Sequence, residues 1–263
     1  MSIMIVPIHA LKDNYIWCIF DSITHHAWIV DPGDAKPVIQ YLHEHHWLLS
    51  GILITHHHAD HSAGVTELLQ YAGNIPVFGA HNSATRFVSC PVREGEKIDF
   101  AGWPFTVLAI PGHTLDHVAY HGAGALFCGD TLFSAGCGKI FEGDAKMMYH
   151  SLSQLQALED QTKIYCGHEY TLSNLYFAQH VDPQNKYITQ KIQLVKSIIK
   201  EGGCTLPALL ADEKKINPFL RCDVSDIIAA VEKQVGKKLD NAVDVFHYLR
   251  EWKNSFIVPL GIP

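Results

Sequence analysis

The chain has 263 residues, of which 48% are hydrophobic and 18% charged; this composition provides one large domain, or one domain with a smaller partner, and excludes extensive disorder. The formal net charge of −7 excludes the basic surplus that a nucleic-acid-binding protein needs. No apolar run reaches the roughly 20 residues of a membrane span, and the N-terminus lacks the basic region of a signal peptide. We therefore expect a soluble, cytoplasmic protein without nucleic-acid or membrane partners.

Residues 1–170 alternate short β-rich runs with amphipathic segments. This interleaving predicts a mixed sheet with helices on its faces, which is an α/β fold. The predicted strands are Ile3–Ile8, Tyr15–Phe20, Ala27–Val30, Gly51–Thr55, Val77–Gly79, Phe105–Ile110, Val118–His121, Ala125–Cys128 and Lys163–Cys166. The predicted helices are Ala35–His46, Ala63–Tyr71 and Ala145–Leu158.

Residues 171–263 follow a different pattern, which predicts helices only. The predicted helices are Leu172–His180 with Thr171 as its N-cap, Gln184–Glu201 ending at Gly202-Gly203, Ser225–Val235 and Val243–Lys253. Charge changes at the same place, because residues 1–170 carry 8 Lys+Arg against 17 Asp+Glu and residues 171–263 carry 12 against 10. The sequence thus predicts an acidic domain, residues 1–170, followed by a mildly basic helical domain, residues 171–263.

Seven cysteines are scattered along the chain without a Cys-x-x-Cys pair. A disulfide framework or a thiolate zinc site would space them differently, so we expect small core residues in a reducing compartment. Cys128 and Cys166 lie within two residues of candidate metal ligands, and we interpret them as core residues too.

Potential metal ligands cluster where predicted strands end. The run Thr55-His56-His57-His58-Ala59-Asp60-His61 follows a buried strand, and the carboxyl end of such a strand is where open sheets hold their sites. His56 and His58 are two residues apart, so in extended backbone they point the same way. Three more strand ends carry a ligand-type residue next to glycine, at Gly112-His113, Gly129-Asp130 and Gly167-His168. Asp31 also follows a strand, but it precedes Pro32 and we interpret it as a turn residue.

Together these positions predict a site for two metal ions. The candidate ligands are His56, His58, Asp60, His61, His113, Asp130 and His168. Such a set is too large for one tetrahedral ion but suits two ions that share a bridge, and a carboxylate such as Asp130 is the natural bridging side chain. Imidazole and carboxylate donors without thiolate fit zinc, iron or manganese.

These motifs resemble the metallo-β-lactamase fold superfamily and, within it, glyoxalase II, the hydroxyacylglutathione hydrolase family. The resemblance rests on the Thr55–His61 run and on Asp13-Asn14-Tyr15, Pro111-Gly112-His113-Thr114, Cys128-Gly129-Asp130-Thr131-Leu132-Phe133, Gly136-Cys137-Gly138-Lys139, Gly167-His168-Glu169-Tyr170-Thr171 and Asn217-Pro218-Phe219-Leu220-Arg221. It implies an αββα sandwich, residues 1–170, that carries the dimetal centre, and a C-terminal helical domain, residues 171–263, that binds glutathione.

The resemblance also implies a division of the ligands and an activity. It assigns His56, His58 and His113 to one ion, Asp60, His61 and His168 to the other, and Asp130 to the bridge. The implied reaction is hydrolysis of S-(2-hydroxyacyl)glutathione, such as S-D-lactoylglutathione, to glutathione and D-lactate by a hydroxide held between the ions. This reaction is the second step of methylglyoxal detoxification, and Asp60 and Asp130 are the catalytic carboxylates. We expect zinc as the metal and a monomer as the functional unit.

Glutathione recognition would need cations and hydrogen-bond donors. By resemblance, the substrate-binding candidates are Lys139, Phe141, Tyr170, Arg250 and Lys253. The family often has tyrosine at the position of Phe141, so in this chain only packing is expected there. Arg250 and Lys253 match the basic residues that meet the glycine carboxylate.

Other polar residues near the motifs have structural interpretations. His57 is expected to support the ligands from outside or to face solvent, and His117 to be structural. Glu169 either orients a ligand or forms a solvent salt bridge, and both interpretations stay open. Asn217 and Arg221 are expected to fasten the tail to the sheet domain.

Three other functions compete with thioester hydrolysis. A persulfide dioxygenase shares the fold and handles glutathione, but it uses one iron and lacks the second metal set formed here by Asp60, His61 and His168. A β-lactamase or lactonase is a further alternative, although many metallo-β-lactamases place cysteine where this chain has Asp130. A non-catalytic metal-binding module remains, but structural sites are closed and rarely hold two ions.

Overall fold

The computed structural model describes residues 4–100 and 102–258. The first residue of the predicted strand Ile3–Ile8 lies outside these described residues. Two six-stranded sheets and one small hairpin form the β-structure. None of the helices in residues 4–100 and 102–258 has the length and apolarity that crossing a membrane requires.

The first sheet keeps its strands in chain order. They are β1 (Met4–Ala10), β2 (Asn14–Asp21), β3 (His26–Val30), β4 (Leu48–Leu53), β5 (Val77–Ala80) and β6 (Cys90–Val92). The first three strands pair antiparallel, and the pairs from β3 to β6 are parallel. The helices α1 (Ala35–His45), α2 (Ala59–Ser62) and α3 (Val65–Ala72) connect the parallel strands.

The second sheet has the order β14-β13-β10-β9-β8-β7. Its strands are β7 (Lys97–Phe100), β8 (Trp103–Ala109), β9 (Val118–Gly122), β10 (Ala125–Gly129), β13 (Lys163–Cys166) and β14 (Ala208–Leu209), and the separate hairpin is β11 (Leu132–Phe133) with β12 (Gly136–Cys137). Only β10 and β13 pair in parallel, across the connecting helix α4 (Ala145–Gln156). Their carboxyl ends therefore lie side by side.

Side chains alternate in direction along each strand of the first sheet, so the sheet packs against an apolar cluster on each of its two faces. On β2, Trp17 and Ile19 join the apolar cluster between the two sheets, whereas Ile16 and Cys18 join the cluster beneath α1 and α3. Because successive side chains of a strand point to opposite faces, this double burial is what a strand between two layers requires. On the far side, α4 covers the second sheet. The expected helix–sheet–sheet–helix sandwich is confirmed.

The predicted helices of the tail are confirmed, but the expectation of helices only is wrong. The helices are α5 (Thr171–Val181), α6 (Lys186–Lys200), α7 (Leu210–Ile216), α8 (Ser225–Val235) and α9 (Ala242–Ser255), with a 3₁₀ turn at Pro218–Leu220. The strand β14 interrupts them and pairs antiparallel with β13, so the tail contributes to the second sheet. A two-residue strand carries no periodicity, and the sequence could not reveal it.

Buried polar side chains fasten the tail to the hairpin β11–β12. Asn217 is fully buried, and its amide nitrogen donates to the carbonyl oxygens of Phe133 at 3.1 Å and Gly136 at 3.0 Å. Its side-chain oxygen accepts from the Phe219 amide at 3.1 Å. The structural interpretation of Asn217 is confirmed. Arg221 instead pairs with Asp182 within the tail, at 2.6 Å.

Replacing Asn217 by alanine tests this attachment. Asn217→Ala leaves two carbonyls and one amide buried without their partner, so we expect the free energy of unfolding to fall by about 2–3 kcal/mol. Urea unfolding followed by circular dichroism measures the change. Lys233→Ala, at an exposed position of α8, is the control and should stay within about 0.5 kcal/mol of the parent.

Candidate metal centre

Four chain segments bring the predicted ligands to one edge of the sandwich. The Thr55–His61 run follows β4, His113 follows β8, Asp130 follows β10 and His168 follows β13. The parallel pairing of β10 with β13 sets Asp130 beside His168. The Val118 amide of the second sheet donates to the Thr55 carbonyl at 2.8 Å and joins the two sheets at this edge. All seven predicted ligands consequently lie together.

Three imidazoles form the first cluster, and their ring nitrogens converge on one point. His58 Nδ1 lies 3.1 Å from His56 Nε2 and 3.0 Å from His113 Nε2. His56 and His113 are buried, and His58 is partly exposed. Burial lowers the pKa of all three rings, so they stay neutral and can donate lone pairs. These three nitrogens lie close enough together to bind one shared metal ion.

A second cluster combines two imidazoles with a carboxylate. His61 Nε2 lies 3.3 Å from His168 Nε2 and 3.5 Å from Asp60 Oδ2, and His168 Nε2 lies 3.4 Å from the same oxygen. His61 and His168 are buried, whereas the Asp60 side chain is 40% exposed. This cluster could hold another ion and keeps one side open to solvent.

Asp130 lies between the two clusters. Its Oδ1 is 3.4 Å from His61 Nε2, and its Oδ2 is 3.3 Å from His168 Nε2 and 3.7 Å from His113 Nε2. Burial raises its pKa, but His61 and His168 outweigh burial and hold that pKa well below the usual range. Among the described residues, no donor bonds its buried Oδ1. A buried carboxylate oxygen without a donor, between the imidazole nitrogens of two clusters, fits a bridging metal ligand.

Hydrogen bonds on the outer nitrogens orient these rings. His61 Nδ1 lies 3.1 Å from Asp31 Oδ2, and His168 Nδ1 lies 2.9 Å from Asp13 Oδ1. His113 Nδ1 lies 2.6 Å from a backbone carbonyl. Each of these outer nitrogens can donate its proton to an oxygen, which leaves the opposite nitrogen facing the centre, where its lone pair can bind an ion.

Asp31 and Asp13 are functional residues that the sequence analysis missed. Asp31 adopts a left-handed turn conformation, as its interpretation expected, but its side chain is buried. It accepts from the amide and the hydroxyl of Thr55, each at 2.7 Å, as well as from His61. Asp31 is also close enough to His56 and His61 to share an ion with them. Because its bonds to Thr55 and His61 occupy both of its oxygens, it fits a support better than a ligand. The sequence did offer one indication of this role, because Asp31 follows the end of a strand and lies close to Gly33.

The remaining polar residues support the centre indirectly. His117 is buried, stacks on His56 with centroids 4.6 Å apart, and accepts from the Asp130 amide at 3.1 Å. Burial lowers its pKa to about 3, which keeps it neutral as that acceptor. Glu169 accepts from the hydroxyls of Tyr15 at 2.8 Å and Thr205 at 2.7 Å. It therefore joins the tail to β2, and no cation of the described residues forms a salt bridge with it.

Three of the predicted substrate-binding residues border the metal centre. The Phe141 ring is 59% exposed and stands nearly perpendicular to the rings of His58 and His113, with centroids 5.5 and 5.2 Å away. Lys139 is exposed, with its Nζ 5.2 Å from the centre of the Phe141 ring. Tyr170 stacks parallel on His168 at 4.8 Å.

Arg250 and Lys253 approach the same region from α9. Arg250 is buried and donates to the Cys137 carbonyl at 2.8 Å, directly before the segment that carries Lys139. Lys253 is partly buried, with Nζ 3.4 Å from the Ser173 carbonyl. Burial, assisted by the charge of Arg250, lowers the pKa of Lys253 to about 8.

Comparisons with known proteins agree with this architecture. Residues 23–168 match the metallo-beta-lactamase superfamily, and residues 169–256 match the hydroxyacylglutathione hydrolase C-terminus. A hydroxyacylglutathione hydrolase of Hahella chejuensis is 48% identical over 96% of this chain and 99% of its own. One of Aliivibrio salmonicida is 46% identical over 97% and 100%.

Solved structures share the fold. The ETHE1 structure from Myxococcus xanthus superposes with a TM-score of 0.66 at 25% identity, covering 100% of this chain and 92% of its own. The BLEG-1 B3 metallo-beta-lactamase superposes with a TM-score of 0.63 at 21% identity, covering 82% and 99%. The chain therefore has the metallo-β-lactamase fold with a helical C-terminal region.

Asp31→Asn tests the support of His61. The amide cannot accept from both Thr55 and His61 as a carboxylate does, so we expect metal affinity to fall about 10- to 100-fold. Metal analysis after dialysis against graded chelator concentrations measures the loss. Asp34→Asn is the matched control, because Asp34 caps α1 and asparagine caps a helix equally well. Equal metal retention in both variants would contradict this role of Asp31.

Proposed function

We infer that the chain hydrolyses the thioester of S-(2-hydroxyacyl)glutathione, with S-D-lactoylglutathione as the representative substrate. The basis is that the chain belongs to the hydroxyacylglutathione hydrolase family. The products are glutathione and a 2-hydroxy acid, here D-lactate, as in the second step of methylglyoxal detoxification. The observation that carries this proposal is the buried Asp130 carboxylate between two clusters of ligand-type side chains.

We assign the first cluster to one ion, the second cluster to another, and Asp130 to the bridge. The donors are imidazole and carboxylate without thiolate, which favours zinc and also accepts iron or manganese. When bound, the two ions would acidify a shared water, which supplies a nucleophile at neutral pH, and would polarise the thioester carbonyl. Asp60 and Asp130 are the catalytic carboxylates, since they bring negative charge to this centre.

The protein's own residues orient the reaction. Asp13 and Asp31 hold the rings of His168 and His61 in their tautomers through the outer nitrogens. Phe141 covers the first cluster and keeps water away from the thioester. The water gives up a proton as its oxygen bonds to the carbonyl carbon, the C–S bond breaks, and glutathione leaves as a thiolate that can take a proton from solvent. A thiolate is a good leaving group, so a strong general acid beside it is not needed.

We propose that the tail, residues 171–263, recognises glutathione, whereas residues 1–170 bind the metal ions. Arg250 and Lys253 are the cations for the glycine carboxylate, while Lys139 and Tyr170 bind the peptide nearer the metals. Phe141 lacks the phenol hydroxyl that the family often has at this position, so its ring can only pack against the substrate. We propose a monomer that acts in the cytoplasm, where its seven free cysteines stay reduced.

The alternatives fit the site less well. A persulfide dioxygenase uses a single iron, and the second cluster of Asp60, His61 and His168 would then have no purpose. A β-lactamase would leave the basic residues of α9 unexplained.

A paired assay tests the proposed function. We expect protein carrying about two ions per chain to cleave S-D-lactoylglutathione, to lose activity on chelation, and to regain it with zinc. Ultraviolet absorbance of the thioester follows the reaction. Oxygen uptake with glutathione persulfide, together with an intact thioester, would overturn the assignment.

Lys253 predicts a pH dependence of substrate binding. With its pKa at about 8, the ammonium is charged below pH 8 and loses its proton as pH rises above that value. We therefore expect KM to rise above pH 8, by about tenfold in all, because a hydrogen bond to a charged group contributes roughly 1.5–3 kcal/mol. Lys253→Arg stays charged and should show a flatter KM profile. Identical profiles for parent and variant would refute the role of Lys253.

A further inference from the structure

His57 lies outside the metal centre and connects two carboxylates. Its ring contacts Asp116 Oδ1 through Nδ1 at 2.8 Å and Glu142 Oε1 through Nε2 at 3.3 Å. The side chain is 23% exposed, that of Asp116 is 4% exposed, and that of Glu142 is 36% exposed. The three side chains form a row from the interior to the surface, which we call the His57 row.

The inner end of the row is fixed. Asp116 is buried, and its Oδ1 also accepts from the hydroxyl of the fully buried Thr114 at 2.8 Å. Thr114 follows His113 directly, so the same loop holds a candidate metal ligand and the anchor of the row. Movement of Asp116 would therefore disturb the centre itself.

The outer end of the row holds the segment of residues 138–143, which we call the substrate segment. Glu142 Oε2 accepts from the Leu115 amide at 2.8 Å. The backbone bonds of this segment are longer: the amides of Phe141 and Glu142 reach the His113 carbonyl at 3.2 and 3.4 Å. The Lys139 carbonyl lies 2.6 Å from His113 Nδ1 and fixes the near end of the substrate segment. The Glu142 side chain fixes its far end.

The far end of the substrate segment needs this attachment because burial holds only its near end, at Gly138 and Ile140. Lys139 is exposed, and Phe141 is 59% exposed, so neither side chain gains its position from core packing. Exposed loops with few buried apolar contacts open at low free energy. Hydrogen bonds to the His113 loop therefore help to set the distance between these side chains and the metal ligands.

We propose that Glu142 and His57 are positioning residues that hold Lys139 and Phe141 at the metal centre and so determine affinity for the glutathione part of the substrate. This inference rests on the proposed function, because it takes glutathione as the group that the substrate segment meets. The row contains none of the candidate metal ligands. Its effect should appear in KM and leave kcat unchanged.

Glu142→Ala tests the proposal by kinetics. We expect KM for S-D-lactoylglutathione to rise roughly tenfold, with kcat and metal content close to those of the parent. Glu142→Gln, which still accepts from the Leu115 amide, should recover most of the lost affinity. A lactoyl thioester of N-acetylcysteamine lacks the glutathione peptide, and its kcat/KM should not change. Glu67→Ala, at an exposed position of α3, is the matched control.

A double-mutant cycle tests the connection through His57. Because residues of one hydrogen-bonded network are non-additive, His57→Gln combined with Glu142→Ala should raise KM little beyond either single change. Metal analysis of each variant verifies that the neighbouring ligands still bind. Additive effects, or equal losses on both thioesters, would overturn the proposed row.

Hydrogen exchange separates this proposal from the proposed function. Amides of residues 138–143 in Glu142→Ala should exchange faster than in the parent, while the strand amides of β10 stay protected. Unchanged exchange in the substrate segment would overturn the positioning role even if the thioester is hydrolysed. If the parent does not cleave S-D-lactoylglutathione, the proposed function fails, and faster exchange would still support positioning by Glu142.

Discussion

The buried carboxylate of Asp130 is the constraint around which the site is built. An ionised group in an apolar interior is costly unless opposite charge or donors surround it. Here imidazole nitrogens surround it on two sides, and its Oδ1 has no hydrogen-bond donor among the described residues. The chain provides space for this group through glycine. A Cβ at Gly138 would lie 1.8 Å from the Asp130 carbonyl oxygen, and one at Gly167 would lie 2.6 Å from its Oδ1.

The strand-end pattern explains why so much of the centre could be predicted. Ligand-type residues next to glycine at the ends of apolar runs converge because parallel strands share one edge, as β10 and β13 do. The supporting carboxylates were harder to recognise, because Asp31 shares this pattern but precedes a proline, and Asp13 precedes a strand. Asp31 resembles a turn residue in sequence and adopts a turn conformation, yet its side chain holds Thr55 and His61. A contact between residues 30 apart carries no local periodicity.

Short elements and tail contacts escaped prediction for a related reason. The strand β14 exists because β13 offers it an unpaired edge, and two residues cannot encode that preference by themselves. Glu169 directly follows the candidate ligand His168, but its hydrogen-bond partners Tyr15 and Thr205 come from distant segments. Tertiary structure therefore decided these roles.

The hairpin β11–β12 couples the two regions that the charge pattern separates. It lies in the chain between Asp130 and Lys139. The tail holds it through Asn217 at Gly136 and through Arg250 at Cys137. A tail that only bound substrate would not need buried bonds to this hairpin. Because the same backbone ends at the bridging carboxylate on one side and at the substrate segment on the other, the tail fixes the distance between them. Phe141, which has no hydroxyl to bond, depends on that backbone and on its contacts with His58 and His113 for its place above the metal ligands.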